Sequence, residues 1–392
     1  MSFIHGVEVL TILDGSRPIQ SKRISVAGII GTAPDADAQK FPLNTPVRVL
    51  GSTDMAGLGA TGTLPTSLDG FYDNGGGTAV IIRVDEGASE TDTLTNIVGD
   101  AATLTGVHAF KAAESLIKLT PRILVATGWT HQRPNDNANP VVAELKGVAE
   151  SLRAVFYADG PNTTDAAALA AALELGDARG RLIDPWSSVF RDGSSVLEPA
   201  SARMAGRRVQ VDDDLGFWHS VSNQPLAGIT GLGRPIHHEP SNVNGQTNLL
   251  NAGNVTTLIH RDGFRIWGNR GTGAEPLTAF QSVLRTMDSV ELAMESAFAW
   301  ALDQPMSAQL FLDIADSVNA YLRSLTARGA LLGGRCWFDP DLNDVATLQA
   351  GRAYLNFDIE PPGPLERLTF SMYREPDYYA SLADQVATSL AA

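Results

Sequence analysis

Between residues 121 and 183 the chain alternates two kinds of pattern: PRILVA (121–126), PVVAELKGVAESL (140–152), RAVFY (153–157), TDAAALAAALEL (164–175) and RLI (181–183). The first, third and fifth are short apolar runs of the kind that form strands buried on both faces, and the second and fourth have the length and composition of helices. Thr164 and Asp165 offer an N-cap, and Gly160-Pro161 breaks the chain just before them. Strand and helix taken in turn are what a parallel sheet with crossover helices requires, so a layered α/β domain is expected over residues 21–265.

Upstream, the extended runs 24–30 and 78–84 stop or start at turn-forming clusters, Gly31-Thr32-Ala33-Pro34 and Asp73-Asn74-Gly75-Gly76-Gly77. Residues 1–20 alternate weakly (Val7, Val9, Thr11, Leu13) and meet Asp14-Gly15-Ser16-Arg17-Pro18, which predicts a strand with no sequence neighbour to pair with. Downstream, 185–275 is rich in Gly, Pro, Asn and Ser and predicts loops and short strands, with Val209-Gln210-Val211 running into Asp212-Asp213-Asp214. Pro276 is expected to open a long amphipathic helix, on which Leu277, Phe280, Leu284, Met287, Met294, Phe298 and Ala301 keep helical spacing. A second helix is predicted over 307–327, ending in a basic turn before a C′-type glycine at Arg328-Gly329. Three extended segments follow, at 335–338, 352–359 and 366–373, separated by Asp339-Pro340 and by Pro361-Pro362-Gly363-Pro364. The last two alternate like strands of a half-exposed sheet. No internal repeat is visible, which argues against a solenoid or propeller.

The chain has 392 residues, enough to bury a substantial core, with 29 Lys+Arg against 44 Asp+Glu and a net charge of −15. That balance gives no electrostatic footprint for nucleic acid or for an anionic membrane, so partners are expected to be neutral or locally basic protein surfaces. One cysteine, Cys336, excludes an intramolecular disulfide and a CxxC-type zinc site. The first residues lack a basic leader, and no run of 18 uncharged apolar residues occurs, so the protein is expected to be cytosolic when made.

Motifs that could carry chemistry are weak. Gly57-Leu58-Gly59-Ala60-Thr61-Gly62 fits GxGxxG, but it does not run directly from a strand, and Pro65 is expected to interrupt the helix that a dinucleotide site needs. His237-His238-Glu239 places adjacent imidazoles on opposite sides of an extended segment, which is unsuited to one metal ion. No GxSxG elbow or phosphate loop is present. Asp212-Asp213-Asp214, and Asp313 with Asp316, are expected to be solvated carboxylates. No catalytic, cofactor-binding or metal-ligating residue is assigned, and no cofactor is expected. An α/β oxidoreductase rests on GLGATG alone; a self-assembling shell protein is the other alternative.

The two ends remain unusual. An N-terminal strand without a partner and a C-terminal pair of strands separated by a proline-rich bend are edge material, which pairs either within one subunit or by exchange between subunits. Further segments carry a resemblance: His5-Gly6-Val7-Glu8-Val9, the 28–34 turn GIIGTAP, LDGFYDNGG at 68–76 and PRILVATG at 121–128. Others are Ser201-Ala202-Arg203, FRIWGNRGT at 264–272, and Met372-Tyr373-Arg374-Glu375-Pro376 within 366–379. In this order, and over nearly the whole chain, they resemble the tail sheath proteins of contractile-tailed phages and R-type bacteriocins.

That resemblance implies a structural subunit, not an enzyme, of a sleeve assembled in the host cytoplasm. Its subunits would stack as rings of six around a rigid tail tube and contract to drive the tube through a bacterial envelope. The implied architecture is mixed α/β and α+β: an N-terminal linking arm (1–20), an outer α/β domain (21–265), an inner tube-facing α+β domain (266–365) and a C-terminal linking arm (366–392). The implied linking strands are Val7, Glu8, Val9, Leu10 and Thr11, and Leu368, Thr369, Phe370, Ser371 and Met372, exchanged between subunits. The implied partners are further copies of the chain, the tube protein, and baseplate and tail terminator proteins, without nucleic acid or membrane contact. Arg323, Arg328 and Arg335, clustered in sequence on an acidic chain, are the tube-facing candidates; the first two also suit the negative end of a helix dipole.

Overall fold

The computed structural model describes residues 18–391, so Val7, Glu8, Val9, Leu10 and Thr11 lie outside the described residues. The elements begin with β1 (Val26–Thr32), β2 (Val47–Val49), α1 (Thr63–Asp73), β3 (Thr78–Val84), α2 (Glu90–Val98), α3 (Ala113–Ile117) and β4 (Ile123–Val125). The alternating stretch follows as α4 (Pro140–Ser151), β5 (Val155–Asp159), α5 (Asp165–Leu175) and β6 (Gly180–Ile183). Its helix starts are set locally: Asn139 accepts from the Val142 amide at 3.0 Å and Thr164 from the Ala167 amide at 3.1 Å.

These strands join one eight-stranded sheet, completed by two later strands, β10 and β11 defined below, in the order β11-β10-β6-β5-β4-β1-β3-β2. Six central strands are parallel, and one antiparallel strand closes each edge. Every residue of β1 is buried because both faces are covered. Val26 and Ile30 face a core with Leu94, Phe110, Leu145 and Ala172, whereas Ala27 and Ile29 face one with Leu64, Phe71, Met204 and Val209.

The region expected to hold loops and short strands does contain β7 (Ser187–Arg191), β8 (Ser194–Glu198) and β9 (Gly231–Leu232). It also contains two helices, α6 (Ser201–Asp214) and α7 (Gln246–Ala252), besides β10 (Val255–His260) and β11 (Phe264–Trp267). Three arginines and three aspartates disguise α6, whose Val209-Gln210-Val211 is helical and packed on the sheet. Arg203, buried in the fold, has tertiary partners: it pairs with Asp73 at 3.0 Å and Glu198 at 3.1 Å. Gly206 allows the crossing with α1, since a Cβ there would sit 2.1 Å from the Phe71 carbonyl oxygen.

A second expectation fails at Pro65. Helix α1 starts at Thr63 and carries Pro65 in its first turn, where a missing N–H leaves no hydrogen bond unmade. A third concerns Pro276, which opens only a short 3-10 turn. The long helix α8 spans Gln281–Ala297, and Leu277 lies exposed before it. Helix α9 (Ala308–Ala327) agrees with expectation: the Ser307 hydroxyl caps it by accepting from the Leu310 amide at 3.1 Å, and Gly329 follows with φ +79°.

The chain finishes with β12 (Gly333–Phe338), α10 (Val345–Gln349), β13 (Leu355–Glu360) and α11 (Tyr378–Ala391). β12 and β13 form a separate antiparallel pair. With α9 and the second half of α8 they enclose a third core, containing Val290, Leu292, Val318, Leu322, Leu325 and Cys336.

Candidate assembly surfaces

Helix α8 ties the large sheet to the third core, and it does so with buried polar groups. Arg285 donates to Asp212 and to the Ile24 carbonyl, while Arg208 donates to the other Asp212 oxygen at 2.6 Å. Arg179, behind β6, holds Asp288 through two bonds of 2.7 and 3.0 Å. Gln281 accepts from the Tyr157 hydroxyl at 3.0 Å and from Arg181, which also donates to the Gly268 carbonyl. Burial pushes Arg181 down to about 10, still charged at neutral pH, and pushes the Tyr157 hydroxyl up. The Asp212 side chain, expected to be solvated, is only 3% exposed, because α8 brings Arg285 onto it beside Arg208, one turn back on its own helix. Planar, hydrogen-bonded pairs of this kind fix orientation, so they hold α8 in place against the sheet.

The β12–β13 pair presents two faces. Gly334, Cys336 and Phe338, with Leu355, Phe357 and Ile359 opposite them, lie on the side facing α9; Gly334 approaches Leu322, and the Phe338 ring lies 5.6 Å from Phe311. Arg335, Trp337, Asn356 and Asp358 occupy the other face. Among the described residues neither outer edge of the pair is hydrogen-bonded to a third strand.

Both terminal segments leave from this module. Ile19 and Ile24 pack on the third core, and the Ser21 hydroxyl lies 2.7 Å from the Tyr321 hydroxyl. At the other end, the chain passes Phe280 at Gly363 and ties Glu366 to Arg270 at 2.8 Å. Residues 366–373, expected to be a strand, have no ladder partner among the described residues. Leu368, Phe370 and Met372 are 65%, 87% and 95% exposed, and Thr369 and Ser371 are exposed between them. An alternating segment with both sides in water lacks the sheet that its pattern suits.

The three arginines have different surroundings. Arg335 pairs with Asp358 at 3.1 Å on the sheet face away from α9 and stacks over Trp337. Arg328 ends α9 with its guanidinium 5.3 Å from the Trp218 ring centroid, and Arg323 is exposed on α9.

The remaining motifs are built into the scaffold. In GLGATG, Gly62 precedes α1 with φ +88°, and a Cβ there would meet the Thr32 carbonyl at 2.3 Å. The Thr32 hydroxyl accepts from the Thr63 amide at 3.2 Å. His238 Nδ1 lies 3.1 Å from the Thr247 hydroxyl, and its ring packs edge-on against Trp267. Among the described residues no group of three or more His, Cys, Asp or Glu could hold a metal ion, and no helix is long and apolar enough to cross a membrane.

One buried carboxyl escaped the sequence reading. Asp159, at the end of β5, accepts from the Ser201 amide at 2.9 Å and from the Ser201 hydroxyl at 2.7 Å, capping α6. Burial pushes it up to about 6, opposed by the bonds from Ser201. Its unfolded value is about 3.9, so the folded chain binds the extra proton between these values. The stability that Asp159 contributes is therefore full below about pH 4 and is lost as pH rises through about 6. Relative to an Asp159→Asn variant, the wild type is expected to lose unfolding free energy between about pH 4 and pH 7, as measured by urea denaturation. A difference that is flat or rises with pH contradicts this assignment.

Comparison with known proteins agrees with this architecture. The phage tail sheath protein central domain matches residues 102–272 and the phage tail sheath C-terminal domain matches 274–375. The tail sheath protein of Escherichia phage P2 is 33% identical over 397 residues, covering 97% of this chain and 98% of that protein. The major tail sheath protein of Serratia phage KSP20 is 31% identical over 389 residues, covering 96% and 97%. The fold is also that of the helical sheath of the anti-feeding prophage in its contracted state (TM-score 0.72, 16% identity, covering 96% of this chain and 100% of that one). The sheath complex of an extracellular contractile injection system, PVC, in its contracted state gives a TM-score of 0.70 at 18% identity, covering 96% and 99%. The chain therefore belongs to the family of contractile phage tail sheath proteins.

Proposed function

We propose that the subunits of this sheath are linked by exchanged strands, and that the links persist while the subunits rearrange during contraction. The observation that carries this reading is the pairing of opposites in one module: an extended, alternating, unpartnered arm at 366–373 beside a two-stranded sheet with open edges. The N-terminal strand Val7–Thr11 would supply a second link, since the described chain enters along the same module at Ile19 and Ser21. Backbone hydrogen bonds carry such a link, and the unpaired chain between β13 and residue 368 would let rigid bodies turn without separating.

In this reading residues 1–20 and 366–392 are arms, 266–365 faces the tube and 21–265 lies outward, with subunits arranged as stacked rings of six. Arg323, Arg328 and Arg335 would meet an acidic tube surface. The tube protein, baseplate and terminator are its other partners, and assembly takes place in the host cytoplasm. No nucleotide is consumed; the extended sheath is a loaded state that contraction releases.

Electron microscopy of the concentrated chain tests the proposal directly. Striated tubular polymers or stacked rings are expected. A monodisperse small oligomer under every ionic condition would refute it.

A further inference from the structure

The helix that ends the described chain, α11, is exposed along its whole length. Its 14 residues span roughly 21 Å. Tyr379, Leu382, Val386 and Leu390 follow one another at three- and four-residue spacing on one face and are 50% to 83% exposed, while Ser381, Asp384 and Thr388 lie opposite. An isolated helix of this length is marginal in water, and an apolar stripe normally indicates the surface that stabilises it. It also lies beyond residue 375, where the match to the family's C-terminal domain ends.

The same chain carries an unfilled apolar groove of about 560 Å³ between the end of α8, α9 and β13. Phe298, Leu302, Met306, Phe311, Ile314 and Phe357 are among the residues that line it, and Leu302 is 72% exposed. Asp303 and Arg352 are the charged residues of its lining, and Arg352 makes no ion pair among the described residues. The approach to α11 carries Glu375 and Asp377 after Arg374, and the apolar stripe of the helix bears no charge.

Continuity identifies the occupant. Phe357 and Cys336 of the groove belong to the β12–β13 pair, whose edge is the proposed acceptor of residues 368–372. A strand added there places Tyr378 six residues further on, within roughly 20 Å of the groove by extended reach. We infer that α11 seats Tyr379, Leu382, Val386 and Leu390 in the groove between α8, α9 and β13 of a second copy of this chain, with Glu375 and Asp377 toward Arg352. This inference rests on the strand-exchange reading and adds to it a side-chain lock beyond the backbone link.

Two full-length variants in a Cys336→Ser background test it, one with Val386→Cys and one with Leu302→Cys, mixed before assembly and treated with a short thiol cross-linker. Dimers containing one of each are expected in the polymer. No such dimer, or cross-linking only within one chain when both cysteines are placed together, overturns the inference. Independently, Leu382→Asp with Val386→Asp is expected to leave the subunit folded and to raise the critical concentration for polymerisation at least about tenfold. An unchanged critical concentration overturns the helix lock. If that occurs while truncation after Glu366 still abolishes polymers, strand exchange stands alone; if truncated chains polymerise normally, both readings fall. Binding of α11 to the tube or to another protein would likewise leave polymers of the chain alone unaffected and count against it.

Discussion

Removing every residue after Glu366 is expected to leave a folded subunit that no longer polymerises. Of the deleted residues 367–392, the described ones, 367–391, are exposed throughout, so their loss should change subunit stability by no more than about 0.5 kcal/mol. Glu366 and its bond to Arg270 remain. Assembly, by contrast, loses the backbone hydrogen bonds of an added strand, each a net gain of about 1 kcal/mol, together with burial of Leu368, Phe370 and Met372. The critical concentration should rise by at least about a hundredfold. Sedimentation and electron microscopy would read the polymer, and circular dichroism the fold. Deleting residues 1–15 is expected to act in the same way. Polymers of normal length from either truncation would show that the arms are not the links.

The second large effect concerns the joint between α8 and the sheet. Asp212→Ala removes the shared anion of Arg208 and Arg285, whose side chains are 1% and 3% exposed, and leaves two guanidinium groups buried without it. Breaking such a pair costs about 3–5 kcal/mol, a fall in Tm of roughly 4–6 °C for a chain of this size. Asp212→Asn, which keeps an acceptor but not the charge, should fall between. Adding Arg285→Met to Asp212→Ala should recover part of the loss, because it removes one of the stranded cations. Thermal unfolding followed by circular dichroism decides; a loss below about 1 kcal/mol in the single variant would mean that Asp212 does not anchor the joint. Since α8 carries the module from which both arms leave, loosening it should also shorten polymers.

Much of the parallel sheet was legible because its signals are local. Apolar runs such as 153–157 must be buried on both faces, and the cap read at Thr164 acts within three residues of itself, as do the caps the structure adds at Asn139 and Ser307. The same locality explains the recognised end of α9 at Arg328-Gly329. Helix α6 was missed for the complementary reason. Its arginines and aspartates have the composition of a solvated loop, and only distant partners such as Asp73 for Arg203 and Arg285 for Asp212 make those members interior.

Residues 366–373 illustrate the same limit: their alternation predicts a strand, yet they join no sheet among the described residues, and a partner outside the subunit is nothing that local sequence can specify. Pattern and capping thus determine, from the sequence alone, the layered α/β core and the helix α9, while the resemblance to sheath subunits rests on the order and span of the segments that carry it. Tertiary structure alone decided which charges are buried, where α8 is clamped and which terminal surfaces are left without a partner. These depend on groups as far apart as Asp212 and Arg285, 73 positions along the chain, that only the completed fold brings within bonding distance.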